Sequence, residues 1–235
     1  MTAVSHMALL ATYTGGDPYF SNVQLLLHMD GTDGSTTIID HSQNAFSPTV
    51  FGNAQIDTAQ SKFGGASLLL DGTGDYLSYA DNAAFALGSG DFTIEFWARP
   101  NGLGAGDFNM LTHGDNGGWM VRRNGSTVTF YASTGNAGTT MFDKVGFGTL
   151  SNLTWHHIAV TRQGTTFRGF LDGVMTSFGT SSLAIWDPTV ALQVGALAGS
   201  TGGRFNGWID DVRLTVGAAR YTAAFTPPAE TFLDF

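Results

Sequence analysis

Hydrophobic and polar residues alternate along this chain in short runs, and Gly, Asn and Asp cut the runs at intervals. The clearest run is Phe92–Ala98, FTIEFWA. Phe92, Ile94, Phe96 and Ala98 fall on one side of an extended strand there, and Thr93, Glu95 and Trp97 on the other. Similar runs predict strands at Val23–Met29, Ala66–Leu70, Asp75–Tyr79, Met110–Thr112, Trp119–Arg123 and Thr127–Ala132. Further strands are predicted at His156–Arg162, Phe167–Leu171, Ala191–Val194 and Trp208–Val216. Helical periodicity over ten or more residues is missing, and only Asp81–Leu87 has room for a single turn. Asn124-Gly125 and Asp172-Gly173 predict two-residue hairpin loops, because both pairs tolerate the positive φ such turns need. Many short strands with regular turn signals predict an all-β sandwich or barrel. Residues 1–22, weakly patterned and Gly-containing, are read as an N-terminal arm, and residues 23–235 as one domain.

Composition agrees with a folded, turn-rich chain. Of 235 residues, 43% are hydrophobic and 12% aromatic, enough to bury a core, and 32 glycines suit many turns. Charged residues make up 12%, about half the usual share of roughly 25%. The net charge is −9, and the ten Lys and Arg are scattered, with none before Lys62. Nucleic-acid binders cluster their basic residues to neutralise phosphates, so nucleic acid is not an expected partner. No run approaches the roughly 20 apolar residues of a membrane span, and Met1–Gly16 does not read as a signal peptide. The absence of cysteine excludes disulfides and thiolate chemistry.

Catalytic signatures are sparse. The two glutamates are Glu95 and Glu230, whereas glycosidases pair two carboxylates across the scissile bond. Neither Lys62 nor Lys144 follows a glycine, so there is no phosphate-binding loop, and no G-x-S-x-G elbow occurs. His156 and His157 are strand neighbours that point to opposite faces, so they do not share an ion. Asp210 and Asp211 in GWIDDVRLTV are conspicuous, since strands disfavour Asp. Alternation puts Trp208, Asp210, Val212, Leu214 and Val216 on one face, with Ile209, Asp211, Arg213 and Thr215 on the other. Asp210 is thereby expected to point inward, where it needs N–H donors, a basic partner or a cation. Asp211 is expected to pair with Arg213.

The segments LLLHMDGTDGSTTIIDHSQN, KFGGASLLLDGTGDYL, DFTIEFWARP, WHHIAVTRQGTTFRGFLDGV and FNGWIDDVRLTVGAARYT follow one another over residues 22–232. In that order they resemble the laminin-G-like domains of the concanavalin A-like lectin/glucanase superfamily. The resemblance implies a jelly-roll sandwich of two curved antiparallel sheets. DPYFSNVQLLLHMDGTDGS and VRLTVGAARYTAAFTPP are similar to modules of bacteriophage structural proteins. That similarity implies a non-enzymatic virion component, in capsid decoration, tail or fibre, partnered by other virion proteins or by copies of itself. A bacterial extracellular carbohydrate-binding module or lectin is the alternative.

The superfamily's glucanases carry a structural calcium on a V-D-x-V-R strand. Residue by residue that aspartate falls on Asp210, and the first-strand acidic position falls on Asp30, so a structural Ca2+ is implied there. Their E-x-D-x-E catalytic strand has no counterpart here, so no enzymatic activity is expected. For glycan contact, with host-surface glycans as the expected partner, Trp119, Arg122 and Tyr131 lie on adjacent predicted strands. Trp97 faces away from the Phe92/Ile94/Phe96 side. The competing reading of each tryptophan is simple burial in an aromatic-rich core.

Overall fold

The computed structural model describes residues 15–136 and 139–235; the predicted arm up to residue 14 lies outside them. The strands are β1 Val23–Leu27, β2 Thr49–Phe51, β3 Gln55–Asp57, β4 Ser67–Asp71, β5 Tyr76–Tyr79, β6 Phe92–Pro100 and β7 Asp107–Gly114. They continue with β8 Gly118–Asn124, β9 Thr127–Ser133, β10 Thr140–Thr149, β11 His156–Gln163, β12 Thr166–Leu171, β13 Val174–Thr180, β14 Leu192–Val194 and β15 Asn206–Val216. One sheet runs β13-β12-β11-β6-β15-β4-β3, with β1 also on β15, and the other runs β10-β9-β8-β7-β14-β5-β2. Both are antiparallel, giving a jelly-roll sandwich. No helix among the described residues is long and apolar enough to cross a membrane.

Alternation builds the core between the sheets. Phe92, Ile94, Phe96 and Ala98 of β6 meet Trp119, Val121, Phe130 and Leu192 of the second sheet, all buried in one cluster. The strands that the hydrophobic pattern does not predict are β2, β3, β10 and β13, which lie at the two ends of each strand order. An edge strand has one paired side and more exposure, so its side chains need not alternate. The predicted turn at Asp81–Leu87 is a 3-10 turn over Ala83–Phe85, capped by the Asn82 side chain. Asp172 and Gly173, with φ of 50° and 77°, form the predicted hairpin loop. The β8–β9 loop is Gly125-Ser126, one residue beyond the predicted pair, because Asn124 still pairs with Thr127.

The main departure from simple alternation lies in β15. Asp210 pairs with Trp97 and Arg213 with Glu95, so β15 carries one extra residue against β6. The extra residue is a bulge at Asp211, whose φ is 48°. At the same point the other edge of β15 changes partner: β4 pairs through Ile209 and β1 starts at Val212. Ile209, Val212 and Leu214 all enter the core. Asp210, Asp211 and Arg213 therefore share the outer face, which corrects the inward expectation for Asp210 and the predicted separation of the two aspartates.

That outer face is not bare. Glu95 on β6 is fully buried and accepts from Arg213 Nε at 2.9 Å and from the Tyr221 hydroxyl at 2.8 Å. Asp17, within the predicted arm, accepts from Arg213 Nη1 at 3.2 Å and from Arg220 Nη2 at 2.6 Å. Burial alone would raise the Glu95 carboxyl, but Arg213, His157 and Arg220 hold it at about 2. Tyr221 and Phe225 stack 3.7 Å apart, and the Arg213 guanidinium lies 3.9 Å from the Phe232 ring. Segments from both ends of the described chain thus cover the first sheet, so β6 is buried on both faces. Asp211 takes partners other than the expected Arg213: His28 Nδ1 at 2.8 Å and the Phe232 N–H at 2.8 Å.

Removing one member of a buried ion pair leaves the other charge uncompensated, at a cost of about 3–5 kcal/mol. Arg213→Met is expected to lose that amount in urea unfolding, and a change at the exposed Gln163, such as Gln163→Ala, less than about 1 kcal/mol.

Candidate functional site

The outer face of the second sheet carries a mostly polar surface. Val121 and Trp119 of β8 point into the core, so Met120 and Arg122 point out. Strand register sets Tyr131, Met120, Thr112, Gln193 and Ser78 side by side across this face, with Arg122 and Asn109 in the next row. A loop from Gly195 to Phe205 crosses over it. Thr112 Oγ1 donates to the Ala196 carbonyl at 2.7 Å, and Asn109 Nδ2 to the Gly203 carbonyl at 3.0 Å. Two adjoining depressions open beside the loop. One, of about 340 Å³, is lined by Asp115, Asn116 and residues 197–200. The other, of about 180 Å³, is lined by Asp115, Asn116, Met120, Arg122, Tyr131 and Leu197.

The chemistry there is an aromatic ring among hydrogen-bonding groups. The Arg122 guanidinium stands 5.5 Å from the Tyr131 ring centre, and Arg204 lies 4.3 Å over Tyr76. Asn109 Oδ1, Arg122 Nε, Gln193 Oε1 and Arg204 Nε and Nη1 are buried without protein partners. Buried polar atoms are nearly always satisfied, so these atoms call for water or ligand oxygens. Asp115 is the one acidic residue lining either depression.

Of the residues singled out for glycan contact, Arg122 and Tyr131 come together on this face. Trp119 does not join them. It has the parity of Val121, is 1% exposed, and donates Nε1–H to the Phe85 carbonyl at 3.3 Å. Trp97 lies on the other sheet under the Lys62 side chain, whose Nζ is 4.0 Å from its ring, and packs 5.1 Å from His157. Both tryptophans are packing residues, which corrects their assignment to one open surface. Sequence reasoning missed Asn109, Gln193, Arg204, Asp115 and Asn116. Gln193 left a signal, a polar residue between two core positions in LQV; the loop residues left none.

The carboxylates chosen for a cation lie at the partner switch of β15. Asp210 Oδ2 accepts the N–H groups of Lys62 and Phe63 at 2.7 and 3.1 Å. Asp210 Oδ1 is buried without a partner. Gly64 adjoins this loop, with φ of 59°, and lies so close to the Asp30 carboxylate that a side chain would collide with it. Asp30 and Asp211 are within electrostatic reach of Asp210. Burial first, and those two carboxylates second, push the Asp210 carboxyl up to about 7 despite its two N–H donors. An orphaned buried carboxylate oxygen with a second acid within electrostatic reach is donor chemistry of the kind calcium takes.

A family model described as concanavalin A-like lectin/glucanases superfamily matches residues 71–219. No curated protein sequence matches the chain significantly. Among solved structures, the binding domain of Paraclostridial Mosquitocidal Protein 1 superposes with a TM-score of 0.68 at 16% identity, over 86% of this chain and 50% of that one. Domain 4 of AbnA, a GH43 extracellular arabinanase from Geobacillus stearothermophilus solved with arabinotriose, gives 0.62 at 16% identity, over 84% of this chain and 93% of that one. The botulinum neurotoxin serotype G binding domain gives 0.64 at 16% identity, over 84% and 49%. The chain thus spans about half the length of the two toxin binding domains. At such identities the likeness shows the fold.

A carboxyl near 7 when folded and 3.8 when unfolded keeps a proton that the unfolded chain has lost. Its contribution is therefore intact below about pH 4 and lost as pH rises to 7. With chelator present, the expected loss over that range is up to about 4 kcal/mol, read from urea unfolding at stepped pH. Asp210→Asn is expected to flatten it.

Proposed function

Because the chain belongs to the concanavalin A-like lectin/glucanases superfamily, we propose that it is a non-enzymatic glycan-recognition module. The binding face is the outer surface of β9, β8, β7 and β14. The observation that carries this reading is the polar depression in which the Tyr131 ring and the Arg122 guanidinium stand beside Asp115 and Asn116. A pyranose or furanose offers an apolar face to the ring and hydroxyls to the amide, guanidinium and carboxylate. One acid, Asp115, lines the depressions, where glycoside hydrolysis pairs two, which supports the binding reading. A domain solved with arabinotriose and several toxin binding domains share the fold, which supports a binding role without naming the sugar.

Two finer parts belong to the proposal. Asp30 and Asp210 hold a structural calcium that removes the cost of the buried Asp210 charge. Added Ca2+ then abolishes the loss of stability above pH 4 in the wild type. The module also serves as a virion component on a capsid surface or tail. Support for that part is the resemblance of residues 17–35 and 212–228 to bacteriophage structural modules.

A panel of oligosaccharides, including arabino-oligosaccharides and sialylated glycans, tests the binding face. Tyr131→Ala and Arg122→Ala are expected to weaken any hit by about 1–3 kcal/mol each, with circular dichroism showing that each variant folds. Binding that survives both variants would remove the face from the account.

A further inference from the structure

Neither the glycan face nor the Asp30/Asp210 pair uses His28, His41 and Asp234. A ring nitrogen of each histidine and a carboxylate oxygen of Asp234 lie within 4.8 Å of one another. His28 follows β1 and is 9% exposed. A carboxylate only accepts, so the 2.8 Å contact to Asp211 Oδ1 puts the ring proton on His28 Nδ1. In the neutral ring the lone pair is thereby left on Nε2. A histidine fixed through its other nitrogen by a buried carboxylate is the usual outer-shell arrangement of a metal ligand. Its ring centre is 4.6 Å from that of His41.

His41 is placed by its N–H, which donates to the Leu26 carbonyl at 2.8 Å. The segment bearing Asp234 is held by the Phe232 N–H and the Thr231 hydroxyl, which bond Asp211 at 2.8 and 3.1 Å. His41 Nδ1 and Asp234 Oδ2 stand 3.5 Å apart, long for a charge-assisted hydrogen bond. Two ligand atoms about 2.0–2.1 Å from a tetrahedral zinc stand about 3.3 Å apart, so the gap suits an ion. Asp30 is within electrostatic reach of both rings, which adds negative potential.

We propose that His28, His41 and Asp234 form a transition-metal site, for Zn2+ or an ion of like preference, that clamps residues 231–235 onto the first sheet. Two imidazoles and one carboxylate select zinc, nickel or copper over calcium, which takes oxygen ligands. The site therefore differs in ion preference from the Asp30/Asp210 carboxylates.

Titration calorimetry of the full chain with ZnCl2 and, separately, CaCl2 tests this. One zinc per chain is expected, with a rise in melting temperature, and Co2+ in place of zinc should give the visible absorption of a tetrahedral nitrogen/oxygen site. His41 and Asp234 are 34% and 43% exposed, so His41→Ala and Asp234→Asn should fold, as checked by circular dichroism. Each is expected to weaken zinc by more than about tenfold, while Asp210→Asn leaves zinc binding in place. Three results would overturn the proposal: no saturable zinc binding, binding unchanged in both variants, or binding lost in Asp210→Asn. Unchanged binding would instead point to the Asp81/His113/Asp187 group.

Discussion

One extra residue in β15 sets what each face of this molecule can do. The bulge at Asp211 takes a positive φ, a conformation that Asp tolerates better than most residues and that must be held by its surroundings. His28, Thr231 and Phe232 hold it through the Asp211 carboxylate. By shifting the strand's phase, the bulge keeps Ile209 and Val212 in the core and turns Asp210, Asp211 and Arg213 outward together. Arg213 then meets Glu95 and Asp17, and Asp210 meets the loop at Lys62 and Phe63. Without the bulge, one of these charges would face Phe96 and Ile94.

The ionic layer has a consequence for the opposite side of the sandwich. A buried arginine and glutamate need full hydrogen bonding to offset their desolvation. Asp17, Arg220 and Tyr221 provide it, and Phe225 and Phe232 close over it. Both covering segments are thereby committed to the first sheet. The second sheet keeps an outer face roofed in part by the loop from Gly195 to Phe205, with Arg122 and Tyr131 beside open volume. Structural charge and the proposed recognition surface are thus divided between the two sheets.

Much of this architecture was legible in the sequence. Alternation in Phe92–Ala98 gave the right core face, and the central strands of both sheets fell where the pattern put them. The edges did not, because β2, β3, β10 and β13 are only half paired. Trp119 misled because aromatic character alone does not set a side; its parity with Val121 did. The aspartate pair misled for a subtler reason. Strict alternation assumes an unbulged strand, and nothing in GWIDDVRLTV marks where the extra residue lies until the core requirement of both Ile209 and Val212 is imposed. Arg122 and Tyr131, singled out because they lie on adjacent predicted strands, do stand together on the outer face of the second sheet. Gln193 and Arg204 reach the same face through a distant strand and a loop that no local pattern connects to it.

Hydrogen–deuterium exchange of the free and sugar-saturated chain tests the division of the two faces most directly. New protection is expected in β8, β9 and residues 195–205, with β6 and β15 already protected before sugar is added. Protection that appeared instead in residues 17–22, 60–65 or 219–235 would place recognition on the first sheet and contradict the account.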